Sequence, residues 1–356
     1  MSAGVEQPVQ KWIAEAVANR WDGGRVTGIG PLKGDASTRR FWRVTLDRAH
    51  RDVPSSAIAI DLGPDDLPLY ARALKLLPEP LPETPWVNLH RFMSMIGAPV
   101  AELYCADPGH RMLLVEDVGS LPLFEAAQQG EAADLYRLAA DELIRLHLDG
   151  TRQLDSRCMA SQLAYDKRLF RWELEQFAEY GIGTIGAHAR RDTLVSELDK
   201  LAERLGAYPR VFSHRDFHGH NLFLQYADMA NQSTPHLRII DFQDALMAPA
   251  AQDLAVLLTT RDTSRIITPR IEQRILDYYY AALIRRDAAT LEPNDFFDSY
   301  RLCALQHALK VIGRFIYLER EGKPGYAVYV PYAIEQARRA LAQLDDFPNL
   351  RAVFRE

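Results

Sequence analysis

The chain has 356 residues, 47% of them hydrophobic and 25% charged, with a formal net charge of -6 at neutral pH. That balance describes an ordinary globular chain, long enough for two lobes that each bury a core, and gives no electrostatic reason to expect nucleic acid as the main partner. The N-terminal MSAGVEQPVQ has neither a basic start nor an apolar run, and no stretch reaches the roughly 18 apolar residues of a membrane span, so neither a secretory signal nor a membrane segment is expected.

In chain order, VQKWIAEAVANRW places Trp12, Ile13, Ala16 and Val17 on one face of a short helix, a prop or lid for the neighbouring lobe. From residue 25 the period becomes that of strands. RVTGIGPL, FWRVTL and SAIAIDL, separated by KGDASTRR and by a polar break at 47–54, predict a β-meander. Proline is dense between 64 and 85, an irregular excursion carrying one short helix near LYARALKLL. PWVNLHRFMSMIG then sets Trp86, Leu89, Met93 and Ile96 at helical spacing and stops at Gly97, which predicts a C-terminal cap. PVAELYCA, a DPG turn and RMLLVEDVG read as a hairpin of two more strands.

Past Gly119 the character changes. EAADLYRLAADELIRLHLDG is a strongly amphipathic helix with Leu135, Leu138, Ala139, Leu143 and Leu146 on one side, and helical patterns recur at 162–180, 191–206, 269–286, 295–320 and 331–344. The expectation is an α+β, two-lobed chain, with a β-rich lobe over 1–118, a helical lobe over 119–356 and a cleft at their joint.

The stretch FSHRDFHGHNLFL (residues 212–224) crowds polar side chains between apolar edges. His214, Asp216 and Asn221 stand in the spacing H-x-D-x-x-x-x-N, and about twenty residues later the apolar strand of LRIIDFQDA ends in Asp241. Phosphoryl transfer from ATP asks for this set: one carboxylate to receive or orient the acceptor proton, and an oxygen pair to hold magnesium against the triphosphate. A plain loop between core strands is the bland alternative. Zinc binding by His214, His218 and His220 is another, opposed by the lack of a nearby cysteine or fourth ligand.

These motifs carry a resemblance. The chain is similar to the aminoglycoside phosphotransferase and choline kinase group, relatives of the protein kinases, whose H-R-D-x-x-x-x-N and D-F-G motifs return as HRDFHGHN and DFQD. Within that group, GDASTRRFWRV, IIDFQDALMAPAAQDLAVLL and ALKVIGRFIYLEREGKPGY look most like the cell-wall sugar kinases that phosphorylate the anomeric hydroxyl of N-acetylmuramate and N-acetylglucosamine. The resemblance implies a protein-kinase-like fold, ATP and Mg2+ as cofactors, a small sugar acceptor and a sugar 1-phosphate product that feeds nucleotide-sugar synthesis. It makes Asp216 the catalytic base, Asn221 and Asp241 the magnesium ligands, His214 a structural member of the loop and Asp253 the brace that holds the loop by its backbone. Glu116 and Val118, in the hinge LLVEDVG, would hold adenine by their backbone. Gly34, Asp35, Ser37 and Thr38 would meet the phosphates through amides and hydroxyls. His218, one loop turn from the base, and Arg314, with Lys310 and Tyr326, would meet the acceptor, their cations suiting a carboxylated sugar. His147 is expected to be packed.

Two departures matter. The loop GPLKGDASTRR has Gly30 and Gly34 but no full G-x-G-x-x-G, and the third strand, SAIAIDL, lacks the lysine that holds phosphates in protein kinases. The helix PWVNLHRFMSMIG likewise has no acid to pair with one. Either Lys33, Arg39, Arg40 or Arg43 supplies the charge, or the chain binds nucleotide without turning it over. An aminoglycoside, choline or homoserine acceptor is the other enzyme reading, with FFDSY at 296–300 as an aromatic, acidic wall. Cys105, Cys158 and Cys303 are odd in number and free of CxxC spacing, the pattern of reduced structural thiols in a cytoplasm. Nothing in the sequence sets the oligomeric state.

Overall fold

The computed structural model of the chain describes residues 6–32, 39–47, 52–64, 67–77, 83–226 and 235–355. Five strands, β1 (Val26–Leu32), β2 (Arg40–Leu46), β3 (Ser56–Asp61), β4 (Leu103–Asp107) and β5 (Met112–Glu116), form one antiparallel sheet in the order β1-β2-β3-β5-β4. Alternation decides its faces. Trp42, Val44, Ala57, Ala59 and Leu114 point to one side, where helix α1 (Gln7–Arg20) lays Trp12, Ile13, Ala16 and Val17 on them to close a small core. The indole of Trp12 also donates to Asp107, at 2.8 Å. The N-terminal helix is therefore a prop on the outer face of the sheet.

The other face of the sheet carries Ile60, Leu113 and Val115 into the main core. Helix α2 (Leu69–Ala73) lies in the proline-rich excursion, and α3 (Pro85–Met95) comes next with Leu89, Phe92 and Met93 buried. Gly97 takes φ +72° and the Ala98 amide donates back to the Met93 carbonyl at 2.9 Å, the glycine cap expected from the sequence. The main core continues unbroken into the helical lobe, through α4 (Leu123–Ala127), α5 (Ala132–Arg145) and the helices Lys167–Gln176, Arg191–Gly206, Ala250–Thr259, Pro269–Arg285, Pro293–Arg320, Val330–Leu341 and Pro348–Arg355. Two short antiparallel ladders sit among them: β6 (Arg210–Ser213) with β9 (Leu246–Pro249), and β7 (Leu222–Gln225) with β8 (His236–Ile239). Among the described residues no helix is long and apolar enough to cross a membrane.

Two local expectations are corrected, and one helix had no expectation. The helix expected from residue 162 begins at Lys167, because the Tyr165 amide instead donates to the Met247 carbonyl at 2.8 Å and Asp166 caps the helix by accepting from the Leu169 amide at 3.0 Å. The strand expected from Pro99 pairs only from Leu103, since Val100 bridges to Ile239 of the other lobe. The helix Ala250–Thr259 gave no amphipathic signal because every residue from Ala251 to Thr259 is buried, which leaves no polar stripe to reveal the period.

The long helix Pro293–Arg320 crosses the turn after Lys167–Gln176 at Gly313, where an added Cβ would lie 2.3 Å from the Phe177 amide nitrogen and 2.5 Å from the Gln176 carbonyl carbon. Backbone cannot yield as a side-chain tip does. Gly313→Ala is expected to destabilise the fold by about 3 kcal/mol, whereas Gly30→Ala, with nothing within 4 Å of its new methyl, is expected to stay within about 0.5 kcal/mol of wild type. Urea denaturation of the two variants is the measurement, and equal midpoints would refute the crossing argument.

Candidate active site

Strand register brings the key residues together. β7 and β8 pair Leu222 with Ile239, and one rung beyond, the Ile240 amide donates to the Asn221 carbonyl at 3.1 Å. The residue before β7 and the residues after β8 therefore meet at one end of the hairpin, so that Asn221 and Asp241 reach the same place from positions twenty apart in the chain. Asp241 has φ +64°, an uncommon backbone for a non-glycine residue.

Asp253, fully buried on the helix Ala250–Thr259, accepts from the amides of His214 (2.9 Å) and Arg215 (2.8 Å). His147, also fully buried, contributes a third contact from Nε2 at 3.1 Å and touches the Tyr279 hydroxyl through Nδ1 at 2.6 Å. Because the Asp253 carboxylate can only accept, the contact is made by the Nε2–H tautomer. His214 is held in the same tautomer, its Nδ1 accepting from the Asp216 amide at 3.3 Å and its Nε2 donating to the Ile240 carbonyl at 3.1 Å. Burial pushes the His214 pKa down, against the pull of Asp253 and Asp216. These bonds join the loop 213–221 to the strand that delivers Asp241.

Asp216 is half exposed, and the amide nitrogen of Asn221 bonds both its carbonyl (3.0 Å) and its carboxylate (3.3 Å). That commits the nitrogen of Asn221 inward and leaves its carbonyl oxygen as the acceptor end. His218 is buried, with Nε2 3.4 Å from Asp216 Oδ1, so it touches the acid rather than the open cleft. Partial loss of solvent around Asp216 pushes its carboxyl up, but His218, Lys310 and His214 outweigh that and hold the group below the ordinary carboxylate range. The Asp241 carboxylate is one-third exposed and accepts from Arg39 (3.0 Å) and Gln243 (2.9 Å). The Asn221 amide oxygen and the Asp241 carboxylate, brought to the same end of the hairpin, are hard oxygen donors, which fits Mg2+ with most of its coordination left to phosphate and water. Zinc is opposed on two grounds. Among the described residues no group of three or more His, Cys, Asp or Glu is placed to hold a metal, and the ring nitrogens of His214 and His218 are spent on bonds within this loop and to Ile240.

Beneath the loop lies a charge cluster that sequence reasoning missed. Glu173, on the helix Lys167–Gln176, is buried and pairs with Arg215 (2.6 Å) and with Lys310 (3.0 Å) of the long helix, while Gln306 (3.1 Å) and the Tyr165 hydroxyl also donate to it. Burial pushes Glu173 up, and Lys310 and Arg215 overcome it to bring the carboxyl down to about 2. Arg215 further lies 3.4 Å from Asp244 and packs over the Tyr70 ring at 4.2 Å. No sequence signal marks Glu173, because RWELEQ reads as a solvated face until the long helix covers it. Arg314, expected at the acceptor, packs over the Tyr317 ring, 5.5 Å away.

At the hinge, the Glu116 amide donates to the Glu102 carbonyl at 2.8 Å, while its carboxylate holds Arg238 (2.8 Å) and Gln225 (3.2 Å) of the other lobe. Val118 is buried nearby. Arg43, on β2, pairs with Asp117 at 2.7 Å and donates to the Gly119 carbonyl at 3.2 Å, fixing the connection between lobes. Arg40 pairs with its cross-strand neighbour Asp61 (2.7 Å) and with Glu6 (2.8 Å). Lys33, Gly34, Asp35, Ser37 and Thr38 lie outside the described residues.

A family model described as a phosphotransferase enzyme family matches residues 28–293. The N-acetylmuramate/N-acetylglucosamine kinase of Pseudomonas aeruginosa is 27% identical over 343 residues, covering 94% of this chain and 90% of that one. The protein of the same name from Caulobacter vibrioides is 28% identical over 328 residues, covering 84% of each. The solved choline kinase of Streptococcus pneumoniae superposes with a TM-score of 0.59 at 15% identity, covering 94% of this chain and 98% of that one. At that identity the likeness carries the fold, and the protein-kinase-like, two-lobed architecture expected from the sequence is the one observed.

Two outcomes are expected from the buried acids. Asp253→Asn turns an amide toward backbone donors that a carboxylate satisfied, and should lower unfolding free energy by about 3 kcal/mol; a denaturation midpoint equal to wild type would show that Asp253 does not brace the loop. Glu173 has a folded pKa of about 2 against an ordinary 4.5, so its ionised form stabilises the fold above about pH 4.5 and that contribution is lost as pH falls toward 2. Glu173→Gln should therefore melt below wild type at pH 7, with the gap narrowing from pH 4.5 downward. A gap that stays constant to pH 3 would contradict the ion-pair account.

Proposed function

The chain belongs to the phosphotransferase enzyme family, and from that premise we propose that it is an ATP- and magnesium-dependent kinase that phosphorylates the anomeric hydroxyl of N-acetylmuramate or N-acetylglucosamine. The observation that carries this reading is the convergence of Asp216, Asn221 and Asp241 at one end of the β7–β8 hairpin, with Asp216 a half-exposed carboxylate that stays ionised at neutral pH. Similarity over most of the chain to kinases of that name supports the choice of acceptor.

In this reading the Asp216 carboxylate accepts a hydrogen bond from the acceptor hydroxyl and orients its lone pair toward the γ-phosphorus. A depressed pKa makes Asp216 a weak base, which suits a loose transition state in which the hydroxyl proton leaves late. An anomeric hydroxyl also gives up its proton more readily than an ordinary alcohol, because the ring oxygen withdraws electron density. His218 and the Asn221 amide keep the carboxylate aimed. Asn221 and Asp241 would hold Mg2+, which neutralises charge on the transferring phosphate when bound. Glu116 and Val118 serve as the backbone hinge for adenine. Lys310, about a quarter exposed and tethered to Glu173 beside Asp216, gives a carboxylated sugar such as N-acetylmuramate an electrostatic partner. The product is a sugar 1-phosphate suited to nucleotide-sugar synthesis from recycled cell-wall sugars, and three unpaired cysteines fit a reducing, cytoplasmic setting.

The test is phosphate transfer from magnesium ATP to N-acetylmuramate, N-acetylglucosamine, kanamycin, choline and homoserine. Anomeric transfer is expected to remove the reducing end of the amino sugar and to give a C1 phosphate by phosphorus NMR. Asp216→Asn should lower kcat by about 10³-fold or more while ATP still binds. Transfer to kanamycin, choline or homoserine instead would overturn the acceptor, and ATP binding with no product from any acceptor would favour a nucleotide-binding regulator.

A further inference from the structure

A triphosphate needs a protein cation besides its metal, and the usual place for one is empty of positive charge here. The charged residue on β3 is Asp61, an acid, and α3 has no acidic residue to steady a lysine had there been one. The described arginines nearby, Arg39, Arg40 and Arg43, have separate engagements. Arg40 is held by Asp61 and Glu6, and Arg43 by Asp117 and the Gly119 carbonyl. Arg39 is the one of these three described arginines whose guanidinium bonds a residue of the catalytic cluster, with Nη2 3.0 Å from Asp241 Oδ1 across 202 positions of sequence. It immediately precedes β2 in the sequence, so its guanidinium ties the start of that strand to Asp241 of the other lobe.

We infer that Arg39 is the phosphate-anchoring cation of this kinase, parked on Asp241 in the nucleotide-free chain and transferred to the β- and γ-phosphates when magnesium ATP enters. The inference rests on the kinase reading above. Its physical basis is proximity. Oxygens that share an octahedral magnesium ion, at bonds of about 2.1 Å, lie about 3 Å apart. A donor already bonded to the Asp241 carboxylate thus needs only a side-chain rotation to reach a phosphate oxygen beside it. A planar guanidinium suits such an oxygen pair better than an ammonium does. The parked state has a second effect: it neutralises Asp241 in the open cleft, so that an entering triphosphate does not meet an unscreened carboxylate.

The experiment is equilibrium binding of adenosine, ADP and ATP to the full chain by calorimetry, with magnesium and in EDTA. Arg39→Ala is expected to weaken ATP and ADP by about tenfold or more in both conditions, to leave adenosine within about twofold, and to be partly restored in Arg39→Lys. In EDTA, Asp241→Asn should tighten ATP binding by releasing Arg39, and most of that gain should vanish in the Asp241→Asn, Arg39→Ala double variant. Equal loss for adenosine and ATP would make Arg39 a structural residue and overturn the inference. So would unchanged ATP affinity in Arg39→Ala, or an Asp241→Asn gain that survives in the double variant. If wild type binds no ATP, the kinase reading falls and takes the inference with it, a result distinct from equal ATP binding by wild type and Arg39→Ala.

Discussion

The Asp253 carboxylate is the interaction on which the site depends. It is fully buried and holds the backbone amides of His214 and Arg215 at 2.9 and 2.8 Å while Arg215 takes φ +74°. A non-glycine residue stays in that region only when its surroundings dictate it. Because the two amides are fixed, the next residue, Asp216, leaves the loop in a set direction, and His214 can bond forward to Ile240, one residue before Asp241. A single acid from a helix thus ties two separate segments of chain into one frame.

Around that frame the structure places charge at depth rather than removing it. Glu173 is shared by Arg215 and Lys310, and such a buried group is tolerable only when its partners and remaining hydrogen bonds are all in place. The arrangement has a functional consequence. Arg215, next to the proposed base, is neutralised internally by a residue of the same fold, and Lys310 reaches the region of Asp216 from the far helix with its charge only partly cancelled. The long helix Pro293–Arg320, brought close by Gly313, is therefore both a core element and, in the kinase reading, a wall of the acceptor side.

The lobes are joined by comparable means. Glu116 at the end of β5 holds Arg238 and Gln225, Arg43 holds Asp117 and Gly119, and Val100 bridges to Ile239, so the cleft is bounded by polar ties instead of an open hinge. The distribution of arginines on β2 comes from strand alternation and register. Arg40 meets Asp61 because those residues are cross-strand partners, and Arg43, an odd number of positions away, lies on the opposite face and reaches the hinge.

The sequence by itself determined the local chemistry. The H-x-D-x-x-x-x-N spacing, the apolar strand ending in Asp241, the glycine stop at Gly97 and the change from strand to helix periodicity near Gly119 are all properties of short stretches, set by hydrogen-bonding capacity and side-chain period. Other features belong to the tertiary structure alone. The helix Ala250–Thr259 was illegible because burial on every side erases amphipathicity, and Glu173 was illegible because a charged residue on a polar-looking helix is buried only once another helix lies over it. Which cation would take over the charge of the missing lysine was open among Lys33, Arg39, Arg40 and Arg43, since like charges in one short segment are distinguished only by their partners; for Arg39 that partner, Asp241, comes from 202 positions away.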